Sequence, residues 1–244
     1  MAMEVLVAGN FKANSVDATS WLIEFERQVD ISSKGVVVVC PAFGELHDWQ
    51  EALSGSTVAL GSQDISAFPT GPHTGEVTGE MLKSFGVTYV IIGHSERRTE
   101  QLETNEIVAQ KIAKAFEAEF VPIVCIGENL KQRKDGETKM VLEKQLKDSL
   151  VGLSADQLMK VVVAYEPLWA IGTGEAATKE NAEEAAAFIK ETARVDTVLY
   201  GGSVKPENVA TFIAQPNIDG VLVGGASLKG DEFGKLAKNA LTQG

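Results

Sequence analysis

Eight short apolar runs rich in β-branched residues recur along the chain: EVLVAGN, GVVVVCP, TVALGSQ, VTYVIIGH, VPIVCIGE, KVVVAYEP, DTVLYGG and GVLVGG. Most are nearly continuous rather than alternating. A strand with one wet face alternates apolar and polar residues, whereas a strand in a parallel sheet covered by helices is buried on both faces and does not. Between the runs lie SWLIEFERQV, TNEIVAQKIAKAFEAE, MVLEKQLKDSLVGL, NAEEAAAFIKETA and EFGKLAKNALTQ, with apolar residues three and four apart and charges opposite. After the third run, EVTGEMLKSFG predicts only a short helix.

Strand-helix units repeated eight times in 244 residues predict an α/β fold, a (β/α)8 barrel of eight parallel strands. No long linker or low-complexity segment interrupts them, so one domain is expected over residues 1–244. The rival is an open doubly wound sheet, which would want a glycine-rich dinucleotide turn after its first strand. GNFKANS stands there instead.

Charge and cysteine usage narrow the partners. A net charge of -12 without a basic stripe argues against nucleic acid, and any anion site has to be built locally. No apolar stretch reaches membrane-spanning length, and the run in MAMEVLVAGNFKAN is too short and lacks the basic flank of a secretion signal. Cys40 and Cys125 each end an apolar run and read as buried, reduced thiols. No Cys/His spacing predicts a metal site, no cofactor motif is present, and a cytoplasmic protein is expected.

In such a barrel the site lies at the carboxyl ends of the strands. Those ends supply Asn10 and Lys12, Gln63, His94, Ser95 and Glu96, Glu166, then Gly201, Gly202 and Ser203, and finally Gly224 and Gly225. YGGSV and LVGGASL after the last two strands bring bare N–H groups and helix starts toward one point, as a phosphate cradle requires. Lys12 supplies a local cation. Glu96 pairs either with Arg97 or Arg98 or with Lys12, and support rather than chemistry is expected of it. His94, before the helix start SERR with Ser95 as its expected cap, stands where the helix N-terminus opposes protonation. A neutral imidazole there donates to a carbonyl oxygen. His47 and His73 read as structural.

Glu166 ends the strand VVVAY and precedes PLWAI, with few apparent neighbours to pair with, so apolar surroundings are expected to raise its pKa when the site closes and strengthen it as a base. The segment that follows reads as a flap, with Pro167 and the small Ala176 and Ala177 at its hinges and Gly172 to Gly174 at its tip. A base, a neutral electrophile, a lysine, a phosphate cradle and a lid suit proton abstraction beside the carbonyl of a small phosphorylated compound, through an enediolate.

GNFKAN, TGEV, IIGHSERR, CIGE, AYEPLWAIGTG, YGGSV and VLVGGASL, in that order over nearly the whole chain, resemble the triosephosphate isomerase family. The resemblance implies interconversion of dihydroxyacetone phosphate and D-glyceraldehyde 3-phosphate, in glycolysis and gluconeogenesis, without metal or cofactor. A glutamate base paired with a neutral histidine is that family's own standard example. By resemblance, Glu166 is the base, His94 the electrophile, and Lys12 and Asn10 bind substrate. Gly172, Ser203, Gly224 and Gly225 hold the phosphate, Glu96 supports Lys12, and Tyr200 and Ser203 bond to the lid. It also implies a homodimer in which the loop DISAFPTGPHTGEV carries Thr74 toward the partner's Lys12, with Gln63 and Arg97 bracing the interface. Phe11 stands where the family commonly has tryptophan, Ala13 where a larger residue touches the partner, and Leu102 where glycine is common. Two other readings stay open: another sugar-phosphate barrel enzyme, an epimerase or lyase, and a barrel that binds phosphate without catalysis.

Overall fold

In the computed structural model, which describes residues 4–29, 35–170 and 177–242, the eight runs are the strands of one closed parallel barrel. They are β1 (Val5–Asn10), β2 (Gly35–Cys40), β3 (Ala59–Ser62), β4 (Tyr89–Ile92), β5 (Val121–Ile126), β6 (Val162–Tyr165), β7 (Thr197–Tyr200) and β8 (Gly220–Val223). Neighbours in sequence are neighbours in space, and β8 closes onto β1 with Val7 opposite Val221 and Gly9 opposite Val223. The expected barrel stands.

Strand parity sorts the side chains. Val5, Val7, Val37 and Val39 face outward into the large core under the helices, while Leu6, Ala8, Val38 and Cys40 fill the barrel interior. Both environments are dry, which is why the runs show so little alternation. Cys40 and Cys125 are free and buried in that inner cluster, and burial pushes both thiols well above the ordinary range. Gly61 makes room for Cys40, since a Cβ there would lie 2.5 Å from its Sγ.

The helices match the amphipathic stretches. Ala18–Glu26, Asn105–Glu117, Thr138–Ser149, Lys179–Ala193 and Gly230–Leu241 cover the outside, and Gly79–Ser84 is the short element expected after β3. Thr104 and Thr178 cap two of them by accepting the N–H of Ile107 and of Asn181. The helices Leu46–Ala52 and Val209–Ile213 complete the second and seventh units, and both are too short for periodicity to reveal. An aromatic cluster anchors β1's carboxyl end. Phe11, fully buried, packs edge-on to Trp49 at 5.1 Å and against Trp21 at 5.8 Å. It holds the loop whose next residue is Lys12.

Candidate active site

Parity carries through the strand ends. In β1 Leu6 and Ala8 point inward, and Asn10 continues that row; in β6 Val162 and Ala164 do, and Glu166 follows them. The top layer of the interior is therefore polar. A cavity of about 270 Å³ opens there, lined by Asn10, Lys12, His94, Glu166, Gly201 to Ser203, Gly224 and Gly225 among others. Residues scattered from position 10 to position 225 meet at one mouth. Its size suits a compact polar molecule and falls below the range usual for drug-sized ligands.

Glu166 is 2% exposed. Its Oε1 lies 3.0 Å from Nε2 of His94, and its Oε2 accepts the N–H of Ser95 at 2.9 Å. The neighbours missing from its own sequence surroundings thus arrive from the loop after β4. Burial raises the carboxyl pKa, but contact with His94, the Ser95 amide and the charge of Lys12 outweigh it and hold the value below the ordinary one. The expectation that Glu166 has few partners is corrected by these contacts, and in this arrangement they set its pKa below the ordinary value; the rise expected on closure concerns a different arrangement. Two glycines give the carboxylate its place. A Cβ on Gly127 would sit 1.7 Å from the Glu166 carbonyl oxygen, and one on Gly201 would sit 3.0 Å from its Cγ.

His94, not Ser95, is the N-cap of the helix Ser95–Glu100. Its Nδ1 accepts the N–H of Glu96 at 3.3 Å, which places the proton of the neutral ring on Nε2, facing the cavity. The expected cap shifts by one residue because Ser95 is already helical and its amide is committed to Glu166. Burial lowers the imidazole pKa, yet the adjoining Glu166 carboxylate more than offsets this and keeps it above the ordinary histidine value. That elevation belongs to the arrangement in which the two side chains touch.

Lys12 has φ +53°, a left-handed conformation that costs a non-glycine residue about 1–2 kcal/mol. Its surroundings impose it. The Lys12 N–H donates to Oδ1 of Asn10 at 3.0 Å, and its carbonyl accepts Nε2 of Gln63 at 2.8 Å. Gln63 also donates to the Cys40 carbonyl at 2.9 Å, tying the ends of β1, β2 and β3 together. The ammonium pairs with Glu96, which decides between the two alternatives for that carboxylate. Arg97 is engaged elsewhere, 2.7 Å from both Asp64 and Glu103, and Arg98 donates to the Gly93 carbonyl and to Asn105. His47 faces Glu51 on the surface, and His73 stacks on Phe68 at 4.4 Å.

Gly172, the tip Gly172 to Gly174 and the hinge residue Ala176 lie in 171–176, outside the described residues. Both flanks of that segment are tied to the end of β7. Ser203 Oγ donates to the Ala170 carbonyl at 2.7 Å, and Tyr200 Oη accepts the Ala177 N–H at 3.0 Å. A third anchor escaped sequence reasoning: the fully buried Glu128 accepts from Tyr165 Oη, Trp169 Nε1 and Arg133 Nη1 at 3.1, 3.1 and 3.2 Å. Its only trace in the sequence is a carboxylate directly after the continuous run VPIVCIG.

The sequence model of the triosephosphate isomerase family matches residues 5–240. The chain belongs to the triosephosphate isomerase family. It is 45% identical over 240 residues to the triosephosphate isomerase of Moorella thermoacetica, covering 95% of this chain and 96% of the relative. It is 46% identical over 237 residues to that of Cupriavidus taiwanensis, covering 93% and 96%. For the triosephosphate isomerase of Carboxydothermus hydrogenoformans the figures are 44% over 246 residues, 96% and 98%. The likeness to these triosephosphate isomerases spans the barrel end to end, so every strand end that lines the cavity falls within it.

Proposed function

We propose that Glu166, His94 and Lys12 carry out in this chain the reaction of its family, the interconversion of dihydroxyacetone phosphate and D-glyceraldehyde 3-phosphate. The isomerase activity follows from membership of the triosephosphate isomerase family; the roles of the residues rest on geometry. The observation that carries them is the contact of a buried carboxylate with the Nε2 of a histidine whose Nδ1 is occupied by a backbone amide.

Glu166 swings from His94 and Ser95 onto the carbon beside the substrate carbonyl and takes its proton. With the carboxylate gone, burial and the Glu96 amide both favour neutral His94, whose Nε2–H donates to the carbonyl oxygen as charge develops. Lys12 and Asn10 stabilise the enediolate from the other side. Return of the proton to the neighbouring carbon completes the exchange between ketose and aldose. The phosphate sits against Ser203, Gly224 and Gly225, where the turn Gly225–Ser227 starts and its opening N–H groups have no partner within the turn. A Cβ on Gly225 would meet nothing within 4 Å, so the backbone there is open to a ligand.

We extend the proposal to a homodimer. The excursion around Thr74 stands exposed, with Phe68 49% exposed on it. A second cavity of about 290 Å³, lined by Lys12, Ala13, Phe43, Gln63, Glu96 and Arg97, adjoins the site and suits a loop tip from a second copy. Ala13 widens it. Two free thiols suit a reducing compartment, and the proposed location is cytoplasmic.

A coupled assay with purified protein tests the function. Turnover of both triose phosphates is expected, and Glu166→Asp should lower kcat by about 100-fold with little change in KM, since a misplacement near 1 Å costs that much. A folded wild-type protein without turnover would overturn the activity. Equal losses in kcat and affinity would reassign Glu166 to binding.

A further inference from the structure

One cation on the rim of the site has no part in the chemistry above. Lys205 lines the same cavity as Ser203 and Gly225 and is exposed. Among the described residues it enters none of the ion pairs, whereas Lys12 is neutralised by Glu96. The backbone beneath it is fixed. Its N–H donates to Oδ1 of Asn208 at 2.8 Å, its carbonyl accepts the amides of Asn208 and Val209 at 3.2 and 3.1 Å, and Pro206 follows. The stem therefore leaves a fixed turn on the rim of the cavity.

The molecule needs such a charge. A phosphate dianion approaches a protein of net charge -12, and Glu232 lines the same cavity. With Lys12 paired to Glu96, Lys205 is the lining lysine left to oppose the carboxylates of Glu232 and Glu166, and without it the mouth repels a dianion more strongly. We infer that Lys205 steers and selects the dianionic phosphate of the substrate, acting on its arrival and retention and not on proton transfer. This rests on the isomerase reading of the cavity.

The test compares Lys205→Ala, Lys205→Glu and Lys205→Arg at ionic strengths of about 20 mM and about 500 mM, where screening lengths differ severalfold. The substrates are D-glyceraldehyde 3-phosphate and D-glyceraldehyde, which lacks the phosphate. At low salt, kcat/KM for the phosphorylated substrate should fall about fivefold in Lys205→Ala and about 25-fold in Lys205→Glu, the scale of one unit charge acting on a dianion through water. Both losses should shrink below about twofold at high salt, with kcat within about twofold throughout. Lys205→Arg should match wild type, and glyceraldehyde should not distinguish the variants. No loss, a loss that survives high salt, or an equal loss with glyceraldehyde would overturn the inference. Wild-type turnover in the same assay judges the isomerase reading separately. Binding of inorganic phosphate, followed by calorimetry, judges Lys205 even without turnover: weaker binding in Lys205→Ala at low salt supports it, and equal binding sinks it.

Discussion

Leu102 holds φ +57° with its side chain 75% exposed, so it carries backbone strain and gains little burial in return. Glycine at this position removes about 1–2 kcal/mol of left-handed strain and costs about 0.5–1 kcal/mol in chain entropy. Leu102→Gly should therefore raise stability by about 0.5–1 kcal/mol, a gain of roughly 2 °C in Tm, read by calorimetry. The pair of His94 and Glu166 makes a second prediction at this scale. Burial lowers the His94 pKa and Glu166 raises it, with the net direction upward; burial raises the Glu166 pKa and His94 lowers it, with the net direction downward. A raised histidine stabilises fully below its unfolded value near 6.5 and loses this as pH climbs through the folded value. A lowered glutamate stabilises above its unfolded value near 4.5 and loses this as pH falls through the folded value. The Tm advantage of wild type over Glu166→Gln should therefore peak between about pH 4.5 and 6.5 and decline toward pH 9. In Glu166→Gln the His94 pKa, followed by nitrogen NMR, should drop below the usual histidine value, because burial, aided by the charge of Lys12, then outweighs the Glu96 carboxylate. A histidine pKa unmoved by that substitution would contradict the contact.

At the scale of elements, the ends of β5 and β7 approach Glu166 so closely that a Cβ is tight at Gly201 and has no room at Gly127. Gly201→Ala places a methyl 3.0 Å from the Glu166 Cγ, which has to shift by a few tenths of an ångström. A fall in kcat of about tenfold, with circular dichroism unchanged, is the expected result. Gly127→Ala meets backbone at 1.7 Å, with no flexible atom to yield, and should cost about 3 kcal/mol or more in denaturant titration. A different device ties β3 to the helices after β4. Lys111, buried on the helix Asn105–Glu117, bridges Asp64 at 2.7 Å and contacts Glu103, with Arg97 completing the set. Lys111→Met leaves two buried carboxylates with a single cation and should destabilise the protein by about 3–5 kcal/mol, while a matched surface change such as Lys147→Met should be nearly neutral.

Barrel closure and the proposed dimer belong to the whole molecule. Closure places β1 beside β8, so the loop bearing Lys12 meets the glycine turn after β8: a Cβ on Gly224 would touch the Lys12 stem at 3.4 Å. If the cavity beside Lys12 receives the loop around Thr74 from a second copy, as proposed, sedimentation should report twice the chain mass of 26.1 kDa. Thr74→Arg, which would put a cation against Lys12 and Arg97 of the neighbouring copy, should shift the protein toward monomer and lower kcat. Wild type that sediments as a fully active monomer would contradict the assembly.

Fold class was legible in the sequence because the repeat of doubly buried strands and amphipathic helices leaves few ways to bury both. The mouth was legible too, since parallel strands of a barrel share one carboxyl end, and polar residues such as Asn10, His94 and Glu166 sit at or just beyond the ends of their strands. What the chain order could not carry was any relation between residues far apart in it. Glu166 looked unpaired because its partners lie about seventy positions away on β4's loop, and with them in place its pKa lies below the ordinary value. Gln63 gained its grip on Lys12, and Gly127 and Gly201 their necessity, only when closure brought separate strand ends within contact. Local propensity is written residue by residue; electrostatics and steric fit depend on distances that exist only after folding.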